Sequence, residues 1–175
     1  MAKKVAVLVV NPVNGAGLFQ YLEAFFENSI EYKTFAVSDS VNVKTNSGIS
    51  IQTDDVVANL KENESAYDAL VFACGDAIPK FSENAGIQYN QDMLAVMKNF
   101  DDKGKTMIGH CAAALLYDNL GIGKGKKVAL HPFIKDVVKG CIGTDEKFVV
   151  DGNLYTAQTE NTIPELIPEI LKVLK

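Results

Sequence analysis

Cys111 lies where an apolar run meets a helical pattern, in Lys105-Thr-Met-Ile-Gly-His-Cys-Ala-Ala-Ala-Leu-Leu-Tyr117, and no other residue of this chain is better set for chemistry. A strand that ends at Gly109 and turns directly into a helix needs small residues at the corner, and Ala112, Ala113 and Ala114 supply them. A thiol on such a corner points off the sheet edge over the first free N–H groups of the helix, where a thiolate is favoured. This is the layout of a nucleophile elbow with sulfur in place of oxygen. A small cysteine packed between strand and helix fits the same residues, since free cysteine is among the most buried residue types.

Other groups converge on that corner if the strands run in parallel. Ala69-Leu-Val-Phe-Ala73 is a buried strand that ends in Cys74-Gly75-Asp76. Asp76 offers a carboxylate for acid or base work, or a cap for the turn that follows. Cys74 offers a thiol partner for Cys111, or a buried strand-end packing group. The backbone N–H groups after Gly75 and at Ala112 could hold an oxyanion. His131, in Leu130-His-Pro132, reads equally as a base for the thiol or as a structural donor to a loop. Strand alternation turns His110 to the face opposite Cys111, where it is expected to be satisfied under a helix. Cys141 has no such setting.

The elements that must position these groups alternate. Residues 5–10 form a continuous β-branched run, the mark of a strand buried on both faces. A breaker cluster at 11–17 follows, then apolar positions at Leu18, Tyr21, Leu22, Phe25 and Phe26 with helical spacing. Strands are expected at 32–37 and 127–130, with one or two more over 149–156 around Asp151-Gly152. A hairpin-like excursion is expected at 41–51, and helices at 88–100 and 163–174. The pattern predicts one domain over residues 1–175, a flavodoxin-like doubly wound α/β fold. Its mostly parallel sheet carries helices on both faces and a small β-hairpin. Ligands of such folds bind beyond the carboxyl ends of the strands, which here are Asn11, Cys74 and Cys111.

Composition narrows the function. The chain has 175 residues, 47% of them hydrophobic, enough for a substantial core. The longest apolar run is too short to span a bilayer and no signal-peptide pattern precedes it, so a cytoplasmic setting without membrane contact is expected. Three cysteines without CxxC or metal-ligand spacing argue for reduced thiols, no metal and no cofactor. A net charge of -5 with dispersed lysines offers no stripe for a phosphate backbone, so the expected ligand is a small molecule or peptide and not a nucleic acid.

Ala73-Cys-Gly-Asp76, Ile108-Gly-His-Cys-Ala-Ala-Ala114, Val128-Ala-Leu-His-Pro-Phe-Ile-Lys-Asp136 and Val150-Asp-Gly-Asn-Leu-Tyr-Thr156 together resemble the DJ-1/PfpI superfamily, related to class I glutamine amidotransferases. The resemblance covers nearly the whole chain. It implies a reactive nucleophile at Cys111, an assisting His131, a homodimer, and a protease-like or amidotransferase-like hydrolase. The chain departs from the family at the loop after the first strand, where active members carry a glutamate that hydrogen-bonds the cysteine. Residues 11–17 hold no carboxylate, and Gly17 stands at the aligned position. Asp76 replaces the second glycine of the family's Gly-Gly, and Ala112 replaces the histidine that follows the cysteine in protease-like members. These three departures weaken peptidase and glyoxalase readings. A non-enzymatic redox-sensing or small-molecule-binding member of the same fold is the alternative. A phosphate- or flavin-binding protein using the glycine-rich loop is a further one.

Overall fold

The computed structural model describes residues 3–76 and 78–175 of the chain. In chain order the strands are β1 (Lys4–Val9), β2 (Glu31–Ala36), β3 (Asn42–Lys44), β4 (Ser50–Gln52), β5 (Asp55–Val56), β6 (Ala69–Ala73), β7 (Thr106–His110), β8 (Lys127–Ala129), β9 (Ile142–Thr144), β10 (Phe148–Asp151) and β11 (Leu154–Ala157). The helices are α1 (Gly15–Glu27), α2 (Val57–Asn63), α3 (Phe81–Asn84), α4 (Gln88–Asp102), α5 (Ala113–Asn119) and α6 (Ile163–Leu174). Seven strands make the main sheet in the order β10-β11-β7-β6-β1-β2-β5, parallel except for β10, which runs against β11.

The β-branched run of β1 takes an interior place in the sheet, between β6 and β2, because both its faces must be covered, and residues 5–9 are fully buried. Helix α1 packs with α6, and α2 packs with α4. Right-handed crossovers place these two pairs on opposite faces of the sheet. Leu18, Tyr21 and Phe25 of α1 meet Ile163, Leu166 and Ile170 of α6 over one face, and Met93, Val96, Met97 and Phe100 of α4 cover the other with Leu60 of α2. Each apolar side chain so removed from water contributes roughly 1.5–3 kcal/mol before ordering costs. No helix among the described residues is long and apolar enough to cross a membrane.

The doubly wound reading therefore holds, and so does the excursion at 41–51, which is the antiparallel pair β3–β4. The strand expected at 127–130 forms as β8 but joins β9 in a separate two-stranded sheet. The place beside β7 is already filled by β11, with Leu154 opposite Met107 and Ala157 opposite His110. Helix α2 and strands β5 and β9 were not foreseen. All three are short, and propensity alone does not separate segments of two to seven residues from loop.

Candidate functional site

The strand order places the reversal of winding at β1 and β6, and the chain there leaves the sheet through three adjacent corners. At the end of β1 the Asn14 side chain caps α1 by accepting from the Gly17 N–H at 2.8 Å. The Asn14 N–H itself donates to the Cys74 carbonyl at 3.0 Å and so ties the β1 corner to the β6 corner. Gly75 fits there because it has no Cβ: one would lie 2.3 Å from the Pro12 carbonyl oxygen. Of the N–H groups in the glycine-rich loop, Val13, Asn14 and Gly17 are taken by protein acceptors. These glycines answer to packing.

The third corner is Cys111. Its φ of 57° is in the left-handed region, which a side-chain-bearing residue adopts only when the surroundings force it. They do so from both sides: the Cys111 N–H donates to the Ala157 carbonyl at 3.2 Å, and its carbonyl accepts from the His131 N–H at 3.2 Å. Beneath the corner, a Cβ on Gly109 would come within 2.4 Å of the Ala113 Cβ, so the turn closes only with small residues at these positions. The Tyr117 hydroxyl donates to the Ile108 carbonyl at 2.9 Å and pins α5 to β7.

Around the thiol is a cleft of ≈ 500 Å³ lined by Asn14, Cys74, Gly75, Asp76, Ile78, His110, Cys111, Ala112, Leu115, His131, Phe133 and Ile134. All six residues singled out in the sequence, Cys111, Cys74, Gly75, Asp76, Ala112 and His131, line it together. The neighbouring Cys74 thiol lowers the pKa of Cys111 against the opposing effect of burial. The Ala112 N–H adds to the lowering, while the charges of Glu160 and Asp76 oppose it. Cys74 moves the other way, well above the ordinary cysteine value, through its interaction with Cys111 and through burial. Of the two thiols, Cys111 is therefore the one that gives up its proton first. Cys141 is remote from this cleft; burial, with Asp118 beside it, pushes its thiol up to about 12.

Asp76 is exposed at the rim, and among the described residues its carboxylate makes no hydrogen bond to the Cys111 sulfur or to a capped N–H. His131 contributes through its ring. Nδ1 accepts from the Phe133 N–H at 3.3 Å, which leaves the neutral ring its proton on Nε2. Such a ring offers a donor and not a base. Phe133 is 90% exposed beside it at the mouth.

His110 lies beneath a helix, but it is not satisfied there. It is buried beneath α1 with Nδ1 3.4 Å from the Tyr21 hydroxyl, yet it also lines the cleft, and among the described residues its Nε2 has no partner. Burial lowers its pKa to about 4, so the ring is neutral. A Cβ at Gly17 would sit 2.5 Å from that Nε2 and 2.7 Å from Cε1. The imidazole thus fills the room that a side chain at position 17 would take. Nothing local in the sequence signals this, because the two residues meet only through the packing of α1 on β7. Gly17→Ala is accordingly expected to destabilise the protein by about 2 kcal/mol despite the gain of about 1 kcal/mol in helix propensity. His110→Ala in the same chain should recover most of that loss in urea melts. Equal stability of the single mutant and wild type would remove the clash from consideration.

Comparison with known proteins gives a consistent picture. The model of the DJ-1/PfpI family matches residues 3–173. Protein ppBat of Bacteroides thetaiotaomicron is 60% identical over 175 residues, all of both chains. A crystal structure of the "putative protease I" from the same species, 60% identical, superposes with a TM-score of 0.98 over 99% of this chain and 100% of that one. A deglycase of Pyrococcus horikoshii is 26% identical over 117 residues, 66% of this chain and 67% of the relative.

Proposed function

Because the chain belongs to the DJ-1/PfpI family, we propose that Cys111 is a nucleophilic thiolate that adds to the carbonyl carbon of a small, largely apolar ligand or peptide group. That addition is the opening step of a protease-like or amidotransferase-like thiol hydrolase. The observation that carries the reading is a thiol of lowered pKa at a left-handed corner in a cleft lined by Ile78, Leu115 and Ile134. In the step, the sulfur forms a bond to carbon and the carbonyl π-pair moves onto oxygen. The N–H of Ala112, the N–H of Gly75 and Nε2–H of His131 are the donors available to that oxyanion. His131 therefore stabilises charge in this scheme and does not take the proton of the thiol. A deglycase among the relatives makes carbonyl-bearing compounds the first ligands to try. The same family membership supports a homodimer in a cytoplasmic setting, which sedimentation and fractionation would test.

One observation favours a second reading, a non-enzymatic redox-sensing or binding member. A complete hydrolytic cycle must protonate a leaving group, and a positioned acid typically contributes 10²–10⁴ in rate. Among the described residues no carboxylate is hydrogen-bonded to the Cys111 sulfur. Asp76 stays a candidate donor only through water.

Thiol labelling tests the core of the proposal. Iodoacetamide at neutral pH should alkylate Cys111 ahead of Cys74 and Cys141, with a midpoint below the ordinary cysteine value of about 8.5. Butyraldehyde at millimolar concentration should protect Cys111 by forming a hemithioacetal. Uniform labelling of the three thiols, or labelling of Cys111 untouched by the aldehyde, would overturn it.

A further inference from the structure

We propose that Cys74 is a resolving thiol for Cys111, so that peroxide converts the pair to a reversible intramolecular disulfide and spares Cys111 from irreversible oxidation. The inference rests on Cys111 being the reactive thiolate but not on any carbonyl substrate.

The argument begins with strand register. β6 and β7 pair in parallel with Ala69 opposite Thr106, Leu70 opposite Met107, Val71 opposite Ile108 and Phe72 opposite Gly109. The same register carried two residues further sets Cys74 opposite Cys111. Neighbouring strands lie about 4.8 Å apart, and disulfides form across Cα separations of about 4.4–6.8 Å. Both corners are fixed beyond the strand ends, Cys74 by the Asn14 N–H on its carbonyl and Cys111 by Ala157 and the His131 N–H. Both residues line the same cleft, so the two side chains open onto one space. Access is one-sided: Cys111 is partly exposed to the cleft while Cys74 is 3% exposed. An oxidant entering the cleft therefore meets Cys111 first.

The chemistry balances with hydrogen peroxide or an alkyl hydroperoxide as the oxidant. The Cys111 thiolate attacks one peroxide oxygen and the O–O bond breaks, giving a sulfenic acid and hydroxide (alkoxide from a hydroperoxide). That base takes the Cys74 proton. The Cys74 thiolate then attacks the Cys111 sulfur, the S–S bond forms, and the S–O bond breaks to release hydroxide. The proton that Cys111 had earlier given to solvent neutralises that hydroxide. Two electrons leave the two sulfurs and reduce the peroxide. A sulfenic acid without a nearby thiol goes on to the sulfinic acid, which simple thiols do not reverse. Position 74 decides which course is taken.

Intact-protein mass spectrometry after treatment with a small excess of hydrogen peroxide tests this, with peptide mapping under non-reducing conditions. Wild type should lose two free thiols and about 2 Da, yield a peptide joining Cys74 to Cys111, and return to its starting mass with dithiothreitol. Cys74→Ser and Cys74→Ala should instead gain about 32 Da at Cys111, at least about tenfold more than wild type and without recovery in dithiothreitol. Circular dichroism of both variants distinguishes the loss of a thiol from the loss of the fold. If wild type itself gains 32 Da at Cys111 with no joined peptide, or if both folded variants oxidise as wild type does, the inference fails. Iodoacetamide labelling of Cys111 in portions of the same samples taken before peroxide is added keeps the two questions apart. A labelled Cys111 that forms no disulfide refutes the resolving role alone, and an unlabelled one refutes the nucleophile.

Discussion

Between pH 6.5 and pH 4 the protein is expected to lose about 3 kcal/mol of folding stability through one residue, His110. Its imidazole titrates near 6.5 when unfolded and near 4 in the fold, because burial beneath α1 disfavours the charged ring. Over that window the unfolded chain binds the proton and the native state does not, so stability rises with pH. The contribution is complete above 6.5, falls as pH is lowered, and levels off below 4. The Tyr21 hydroxyl beside Nδ1 brings no charge, and Glu160, which alone favours the protonated ring, does not offset burial. Glu64, whose carboxyl burial raises, acts with the opposite sign and is common to any pair of variants compared. Urea melts of wild type and His110→Leu at pH 7.5, 6, 5 and 4.5 isolate the effect. The difference between the two should grow as pH falls; parallel curves would show that the ring finds a partner for its charge.

Gly75→Ala is expected to be more disruptive still. The added Cβ would fall 2.3 Å from the Pro12 oxygen, 2.6 Å from the Val13 Cα and 2.8 Å from the Asn14 nitrogen, all backbone atoms of the facing corner. No rotamer relieves a clash with backbone, so the β1 and β6 corners must separate and break the Asn14–Cys74 hydrogen bond. A loss of at least about 3 kcal/mol follows, against total stabilities of about 5–15 kcal/mol for such domains. The preferential alkylation of Cys111 should fall with it, since both corners wall the cleft. Gly86→Ala is the control, because nothing lies within 4 Å of its added Cβ. Denaturation midpoints of the two variants should differ widely, and near-equal values would mean that the corners do not hold each other.

The fold was legible where the sequence carries long signals. The β-branched run at 5–10 and the helical spacing of Leu18, Tyr21 and Phe25 hold as β1 and α1, and the alternation of strand and helix gives the doubly wound sheet. The site was legible because a parallel sheet sends its strand ends to one edge, so Cys74 and Cys111 needed only adjacent strands to meet. What could not be read is what depends on contacts between distant segments. The burial reading of Cys74 holds as to exposure, but only the register of β6 on β7 brings it opposite Cys111. Alternation set His110 beneath a helix, yet only the packing of α1 shows that Gly17 makes room for it and that one ring nitrogen stays unpartnered. The small pair β8–β9 escaped because its place was decided by β11, an element later in the chain.

The charges around Cys111 have a bearing on which molecules the cleft admits. Glu160 and Asp76 both project negative potential onto Cys111, and among the described residues no lysine or arginine lines the cleft. An anionic ligand would meet like charge near the sulfur, most strongly in dilute buffer, where the screening length exceeds about 10 Å. Uncharged or cationic electrophiles meet no such barrier. The cleft thus sorts its visitors by charge before shape is consulted, and the stringency of that sorting is set by the ionic strength around it.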